Sequence, residues 1–242
     1  MEHYILITGA SSGMGALCAK HFSSSHKLIM ASENLEMLQE VLKECANPEQ
    51  HILWHCDFAT ERENIVQSLT DLLKQHDAVV DQYVHFAGLT KLLPLKTFSI
   101  QYIDLIFNVN FFSILEIMKA LLKKSNAKAL SNVVLISALV SERGNVGNSI
   151  YAASKGAMNS LVYTLARELA PDIRINALLP GAIETPMSKN LDADYIAEMT
   201  KDTPLGWGQP QEVINYVEFL LSDKAKWITG QTLFVDGGRS TK

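Results

Sequence analysis

Tyr151 and Lys155 stand four residues apart in the run Ile150-Tyr151-Ala152-Ala153-Ser154-Lys155-Gly156. On a helix that spacing places both side chains on one face, one turn apart. A free tyrosine titrates near ~10, and each pKa unit corresponds to about 1.36 kcal/mol. A neighbouring ammonium favours the phenolate and lowers that value, so the pair can form a proton donor tuned by a cation. The spacing alone equally describes a helix-surface contact. A second chemistry-bearing stretch lies about 140 residues upstream: Thr8-Gly9-Ala10-Ser11-Ser12-Gly13-Met14-Gly15, after a β-rich run and before a helical pattern. A strand, a glycine-rich turn and a helix N-terminus make an anion site, because open backbone N–H groups and the helix dipole both favour a phosphate. Gly9 permits the tight turn, Gly13 lets the backbone approach a pyrophosphate, and Gly15 lets helix and strand pack closely. A plain βα turn is the alternative; the position after the first strand favours dinucleotide binding.

Positioning these residues falls to an alternating series of elements. β-rich runs are read at 3–8, 27–31, 51–55, 80–85, 131–137, 172–178 and 232–235, and helical patterns near 13–24, 33–45, 60–75, 99–124, 151–169 and 210–222. Such alternation predicts βαβ units, a seven-stranded parallel sheet with helices on both faces, and a single domain over 1–242. Segment 99–124 is apolar on nearly every face, which predicts burial on more than one side and a subunit interface. Segment 186–209 is long for a connection, contains a short helical piece near 192–200, and reads as a loop over the substrate. Its Met187, Leu191, Tyr195, Met199, Leu205 and Trp207 give it apolar character.

Composition limits the function. The 242 residues are 48% hydrophobic and 19% charged, enough for a sizeable core, and the net charge of −5 comes with no long basic run, so nucleic-acid binding is not expected. Cys18, Cys45 and Cys56 fit no zinc or redox spacing, and no His pair at metal-ligand spacing occurs, so no metal site is expected. The chain enters its first strand at His3–Ile7 without a leader-like run, and no apolar stretch reaches spanning length. A cytoplasmic protein with no membrane partner is the expectation.

The glycine loop, with its TG-x3-G-x-G spacing, and the Tyr-x3-Lys pair together resemble the short-chain dehydrogenase/reductase family, over about residues 3–239. Further stretches carry the resemblance: Cys56-Asp57-Phe58, Asn110, His85-Phe86-Ala87-Gly88, Pro180-Gly181-Ala182-Ile183-Glu184-Thr185, Ile228-Thr229-Gly230 and Asp236-Gly237-Gly238. Within the family the chain is most similar to 3-oxoacyl-acyl-carrier-protein reductases. The resemblance implies a single-domain Rossmann fold and hydride transfer between a nicotinamide cofactor and a carbonyl or secondary alcohol carbon of a small molecule. It implies Tyr151 as general acid/base, Lys155 as the group that lowers its pKa and bonds the nicotinamide ribose, and Asn110 as holder of a water that links Lys155 to solvent. The cofactor residues it implies are Gly9, Ser11, Ser12, Gly13, Met14, Gly15, Ser32, Asp57, Phe58, Ala87, Gly88, Tyr151, Lys155, Pro180, Gly181, Ile183 and Thr185. A homo-oligomer, dimer or tetramer, through 99–124 and 151–169 is implied as well.

The chain also departs from that pattern. The family's carbonyl-binding Ser would stand thirteen residues before Tyr151, where this chain has Ala138. Ser137, by a bulge, or Ser141 are the candidate replacements. His85-Phe86 replaces two asparagines, and a buried, satisfied histidine is the favoured reading of His85. At the end of the second strand, Ser32 takes the position of the acid that reads an NAD ribose, Glu33 follows, and no cation for a 2′-phosphate is visible. The cofactor is NAD(H) or NADP(H), with a lean to NAD(H). Two functions therefore compete. One is an NAD(P)-dependent oxidoreductase. The other is a weakly active or inactive nucleotide-binding paralogue, which rests on Ala138. Acyl-carrier-protein reduction is a third reading; Arg143 and Lys189 would serve it, but Ala170-Pro171-Asp172 is not basic.

Overall fold

In a computed structural model, residues 1–124, 126, 128–185 and 193–241 are described, without the side chains of 193–195 and 198. Met187, Lys189 and Leu191, and the side chain of Tyr195, lie outside the described residues. The strands are β1 (Glu2–Thr8), β2 (Leu28–Ser32), β3 (Ile52–His55), β4 (Ala78–His85), β5 (Asn132–Ile136), β6 (Arg174–Pro180) and β7 (Thr232–Val235). All pair in parallel, in the order β3-β2-β1-β4-β5-β6-β7. The chain winds one way from β1 to β3 and the other way from β4 to β7. The crevice outside the carboxyl ends of β1 and β4 is therefore the switch point, where open α/β sheets bind ligands.

Between the strands run α1 (Gly13–Phe22), α2 (Leu35–Lys43), α3 (Ile65–Gln75), α4 (Ile100–Phe107), α5 (Ser113–Leu121), α6 (Ser149–Glu168), α7 (Ala193–Lys201) and α8 (Pro210–Leu221). Strand side chains alternate between two faces, and each face has its own core. Leu6 packs with Leu69, Ile117 and Met158 beneath α3, α5 and α6. Ile5 and Ile7 pack with Cys18, Leu38 and Val217 beneath α1, α2 and α8. With both faces covered, β1 is buried continuously from Tyr4 to Thr8, as parallel strands must be.

Differences from the predicted bounds have local causes. Asn34, assigned to the second helix, caps it instead: its Oδ1 accepts from Met37 N at 2.9 Å. The third helix starts at Ile65 because Asp57 closes a turn, accepting from Ala59 N and Thr60 Oγ1 at 2.8 Å each. Strand β6 runs on to Pro180, paired with Val235. Segment 99–124 is helical from Ile100 to Leu121, but Asn108–Phe112 forms one wider π turn between α4 and α5. Such turns recur at functional sites, and this one carries Asn110. The segment's burial is uneven: Ile106 and Ile117 are buried, whereas Ile100 is 73% exposed.

Candidate active site

The glycine loop leaves β1 at the switch point. Gly9 and Gly13 take positive φ of 65° and 54°, a conformation that costs glycine little. A Cβ on Gly15 would stand 2.1 Å from the Gly9 carbonyl oxygen, so only glycine allows this strand–helix approach. Ser12 precedes α1 with extended backbone and no side-chain cap bond, and α1 has no acid in its first turn. Its first N–H groups are therefore open to an anion. This geometry fits a dinucleotide phosphate.

A cleft of about 360 Å³ spreads from this loop, lined by Gly9, Ser11, Ser12, Gly13, Met14, Gly15, Ser32, Glu33, Asp57, Phe58, Ala87, Gly88 and Thr185. Ser32 is buried at the end of β2, with its Oγ 2.7 Å from Ser11 Oγ and 3.2 Å from Glu33 Oε2. Among the described residues, no Lys or Arg lines this cleft. Phe58 is held edge-on to Trp54, with ring centroids 5.7 Å apart. A second cleft, of about 370 Å³, is lined by Tyr151, Ser137, Ala138, Pro180, Gly181, Ile183 and Trp207, and Met14 and Thr185 line both clefts. Gly181 sits where a Cβ would meet Asp236 Cα at 2.8 Å. Asp236 itself accepts from Gly238 N and Ser240 N, which closes the turn after β7 against this wall.

Helix α6 sets Tyr151 in its first turn and Lys155 one turn on. Lys155 is buried, its Nζ lies 5.9 Å from the Tyr151 ring centroid, and it donates to the Ile136 carbonyl at 2.7 Å. Burial pulls the Lys155 ammonium down to about 7. Burial also pushes the Tyr151 phenol up to about 12. Lys155 is expected to lower the phenol; burial acts in the opposite direction. Asn110 is fully buried and ties two segments together. Its Oδ1 accepts from Leu89 N at 2.9 Å, and its Nδ2 donates to Leu89 O at 3.1 Å and Ser154 Oγ at 3.0 Å. A Cβ on Gly88 would stand 3.3 Å from Lys155 Nζ and 3.4 Å from Asn110 Oδ1, so these three groups meet at one point.

Ala138 is buried in the second cleft's wall. Both candidate replacements already donate to backbone carbonyls. Ser137 Oγ donates to the Lys155 carbonyl at 3.2 Å, and Ser141 Oγ donates to the Ala138 carbonyl at 2.6 Å and accepts from Asn159 Nδ2. No bulge redirects Ser137: its N–H continues the ladder to Leu178 O at 2.8 Å. His85 is buried as expected but only half satisfied. Nδ1 lies 2.9 Å from Thr8 Oγ1 and 2.7 Å from Tyr83 OH, while Nε2 has no partner among the described residues. Burial, with Lys155 nearby, holds its pKa well below the usual imidazole range.

Three features escaped sequence reasoning. The Ile136 carbonyl that holds Lys155 is backbone and leaves no sequence signal. Thr8 is buried and accepts from Ala87 N at 3.2 Å, joining the glycine loop to the 87–88 turn. Asn148 lines the second cleft, and its Oδ1 accepts from Thr90 Oγ1 at 3.4 Å; an Asn just before a helix was the available signal. Among the described residues no cluster of three metal-ligating side chains occurs, and no helix is long and apolar enough to cross a membrane.

A family model described as enoyl-(acyl carrier protein) reductase matches residues 9–240. The chain belongs to the short-chain dehydrogenase/reductase family. It is 33% identical to carbonyl reductase family member 4 of Xenopus laevis, over 98% of each chain. It is 30% identical to the 3-oxoacyl-[acyl-carrier-protein] reductase FabG of Thermotoga maritima, over 96% of each. A solved putative 2-deoxy-D-gluconate 3-dehydrogenase from Agrobacterium tumefaciens, with bound NADP, superposes with a TM-score of 0.88 at 28% identity, over 99% of this chain and 97% of that one. This is a family of oxidoreductases, and a nicotinamide cofactor fits the clefts described above.

Proposed function

We propose that this short-chain dehydrogenase/reductase is an NAD(P)-dependent oxidoreductase that moves a hydride between a nicotinamide cofactor and a carbonyl or secondary alcohol carbon, in the manner of the 3-oxoacyl reductases it resembles. The observation that carries the reading is the junction of the two clefts at Met14 and Thr185, with Tyr151 in the second cleft's wall. In the proposed pose the pyrophosphate lies on the loop Gly9–Gly15, the adenosine end runs past Ser32, Asp57, Phe58, Ala87 and Gly88, and the nicotinamide end reaches Pro180, Gly181, Ile183 and Thr185. The bound cofactor supplies or accepts the hydride. Tyr151 gives its proton to the oxygen of the reduced carbonyl, so one hydride and one proton turn the carbonyl into the alcohol. Lys155 serves as the cation beneath this proton donor. Asn110, bonded to Leu89 and Ser154, acts by holding the 88–89 turn against α6.

The cofactor lean is to NAD(H). Glu33 beside Ser32 suits ribose hydroxyls and opposes a 2′-phosphate. Segment 186–209 is the proposed cover of the substrate, supported by Met199 and Trp207 in the cleft wall. A homo-oligomer, dimer or tetramer, through 99–124 and 151–169 is supported by apolar side chains left uncovered there, Ile100 at 73% and Tyr163 at 48% exposure. A cytoplasmic setting is supported by Cys18, Cys45 and Cys56, all free and buried.

The second reading, a weakly active or inactive nucleotide-binding paralogue, is favoured by Ala138 together with the commitment of Ser137 and Ser141 to backbone carbonyls. Turnover with NADH and NADPH over a panel of aldehydes, ketones and 3-oxo esters separates the two. Cofactor-dependent reduction of any member supports the oxidoreductase. Saturable cofactor binding without reduction of any member supports the paralogue.

A further inference from the structure

The second cleft inverts the charge of the chain around it. The protein carries a net charge of −5, yet among the described residues this cleft is lined by three cations, Lys91, Arg143 and Arg239, and one acid, Asp202. Asp202 is engaged by one of them, with its Oδ2 3.3 Å from Arg239 Nε. Lys91 and Arg143 have no carboxylate partner among the described residues. Both are nevertheless anchored. Tyr102 OH donates to the Lys91 carbonyl at 2.9 Å and lies 3.2 Å from the Lys91 N–H, which fixes the backbone there. Arg143 Nη1 donates to the Arg239 carbonyl, which pins one edge of the guanidinium and leaves its other N–H groups for a ligand. Leu92, Leu139, Val140 and Met199 give the wall an apolar stretch, beside the polar Thr90 and Asn148.

The geometry points to a substrate with an apolar body and one carboxylate, the carboxylate held by Arg143 and Lys91 at the rim while the apolar body lies against the wall beside Tyr151. A guanidinium presents parallel N–H donors that match a carboxylate. This inference rests on the oxidoreductase reading for the fate of the carbonyl, but not for the binding.

The test therefore separates the two. Calorimetric titration of the protein with octanoate and with octan-1-ol, with and without NADH, reads the binding. We expect octanoate to bind about tenfold more tightly or better than octan-1-ol, and the difference to shrink as salt is raised, since both cations are exposed. In Arg143→Gln combined with Lys91→Gln the ratio falls toward one, with the melting temperature as the control for folding. Equal affinity for the two probes, or a preference that survives the double substitution, overturns the inference. A parallel assay compares reduction of 3-oxooctanoate with that of its methyl ester. If octanoate is preferred but neither compound is reduced, the anion site stands and the activity reading fails. If the ester is reduced as well as the acid and octanoate is not preferred, the activity stands and the anion site fails.

Discussion

Gly9, Gly13, Gly15 and Gly88 shape the cleft at the glycine loop, whereas the cleft at Tyr151 takes its chemistry from side chains. In the first, the shape follows from positive φ at Gly9 and Gly13, from the 2.1 Å that a Gly15 Cβ would leave to the Gly9 carbonyl, and from the end of the parallel sheet. In the second, the proposed proton donor is the Tyr151 phenol in the wall, with Lys155 buried behind it. Backbone geometry tolerates wide change in sequence so long as a few glycines stay in place. Side-chain chemistry changes with one residue, as Ala138 does here. The second cleft therefore has more room to differ in rate and substrate than the first.

That contrast breaks if a small change in the first cleft is harmless. Gly15→Ala puts a methyl group into the Gly9 carbonyl, and we expect NADH affinity to fall by more than about 100-fold, read by fluorescence titration. An unchanged affinity would mean that backbone packing does not define this cleft. The contrast sharpens if the second cleft can be improved. Ala138→Ser restores a donor on the wall that Tyr151 shares, and a gain on the order of tenfold in kcat/KM for a carbonyl substrate is expected, a part of what one such donor contributes elsewhere. Ser137→Ala should matter less. Its hydroxyl is spent on the Lys155 carbonyl, so kcat should stay within about threefold, and a large loss would return Ser137 to the substrate.

A last effect concerns stability rather than turnover. Burial lowers Lys155 to about 7 from its ordinary 10.5. Between those values the unfolded chain binds the proton and the folded chain does not, so this residue makes the cofactor-free protein more stable as pH rises from 7 toward 10. Tyr151, raised to about 12, opposes this only above its ordinary 10.0. Lys155→Met should flatten the rise of melting temperature over that range. The difference should be on the order of 10 °C, since each pH unit across that range is worth about 1.36 kcal/mol and about 2–4 °C accompanies each kcal/mol in a chain of this size. Identical pH profiles for the two proteins would place the Lys155 ammonium in a better-hydrated setting.

The sheet was legible in the sequence because parallel strands buried on both faces appear as apolar runs, as at Tyr4–Ile7 and Val133–Ile136. The glycine loop was legible because its requirement is for a residue type, glycine, at fixed spacing. Tyr151, Lys155 and Asn110 were legible as positions, and the structure brings Lys155 and Asn110 together at Gly88. Their electrostatics were not. The burial that raises the phenol has no signature in spacing. The π turn at Asn108–Phe112 was hidden for a similar reason: a uniformly apolar helix and one with a single widened turn have the same composition. The commitment of Ser137 to α6 depends on a carbonyl from another element, which no local pattern encodes.

The central claim is that Tyr151 is the proton donor of an oxidoreductase rather than a helix-face contact. Its most direct test is NADH oxidation in the presence of a reducible carbonyl, followed in the wild type and in Tyr151→Phe, with NADH affinity measured in both. The account predicts that Tyr151→Phe binds NADH as the wild type does and turns over slower by about 10²–10⁴. Equal turnover in the two proteins would contradict it.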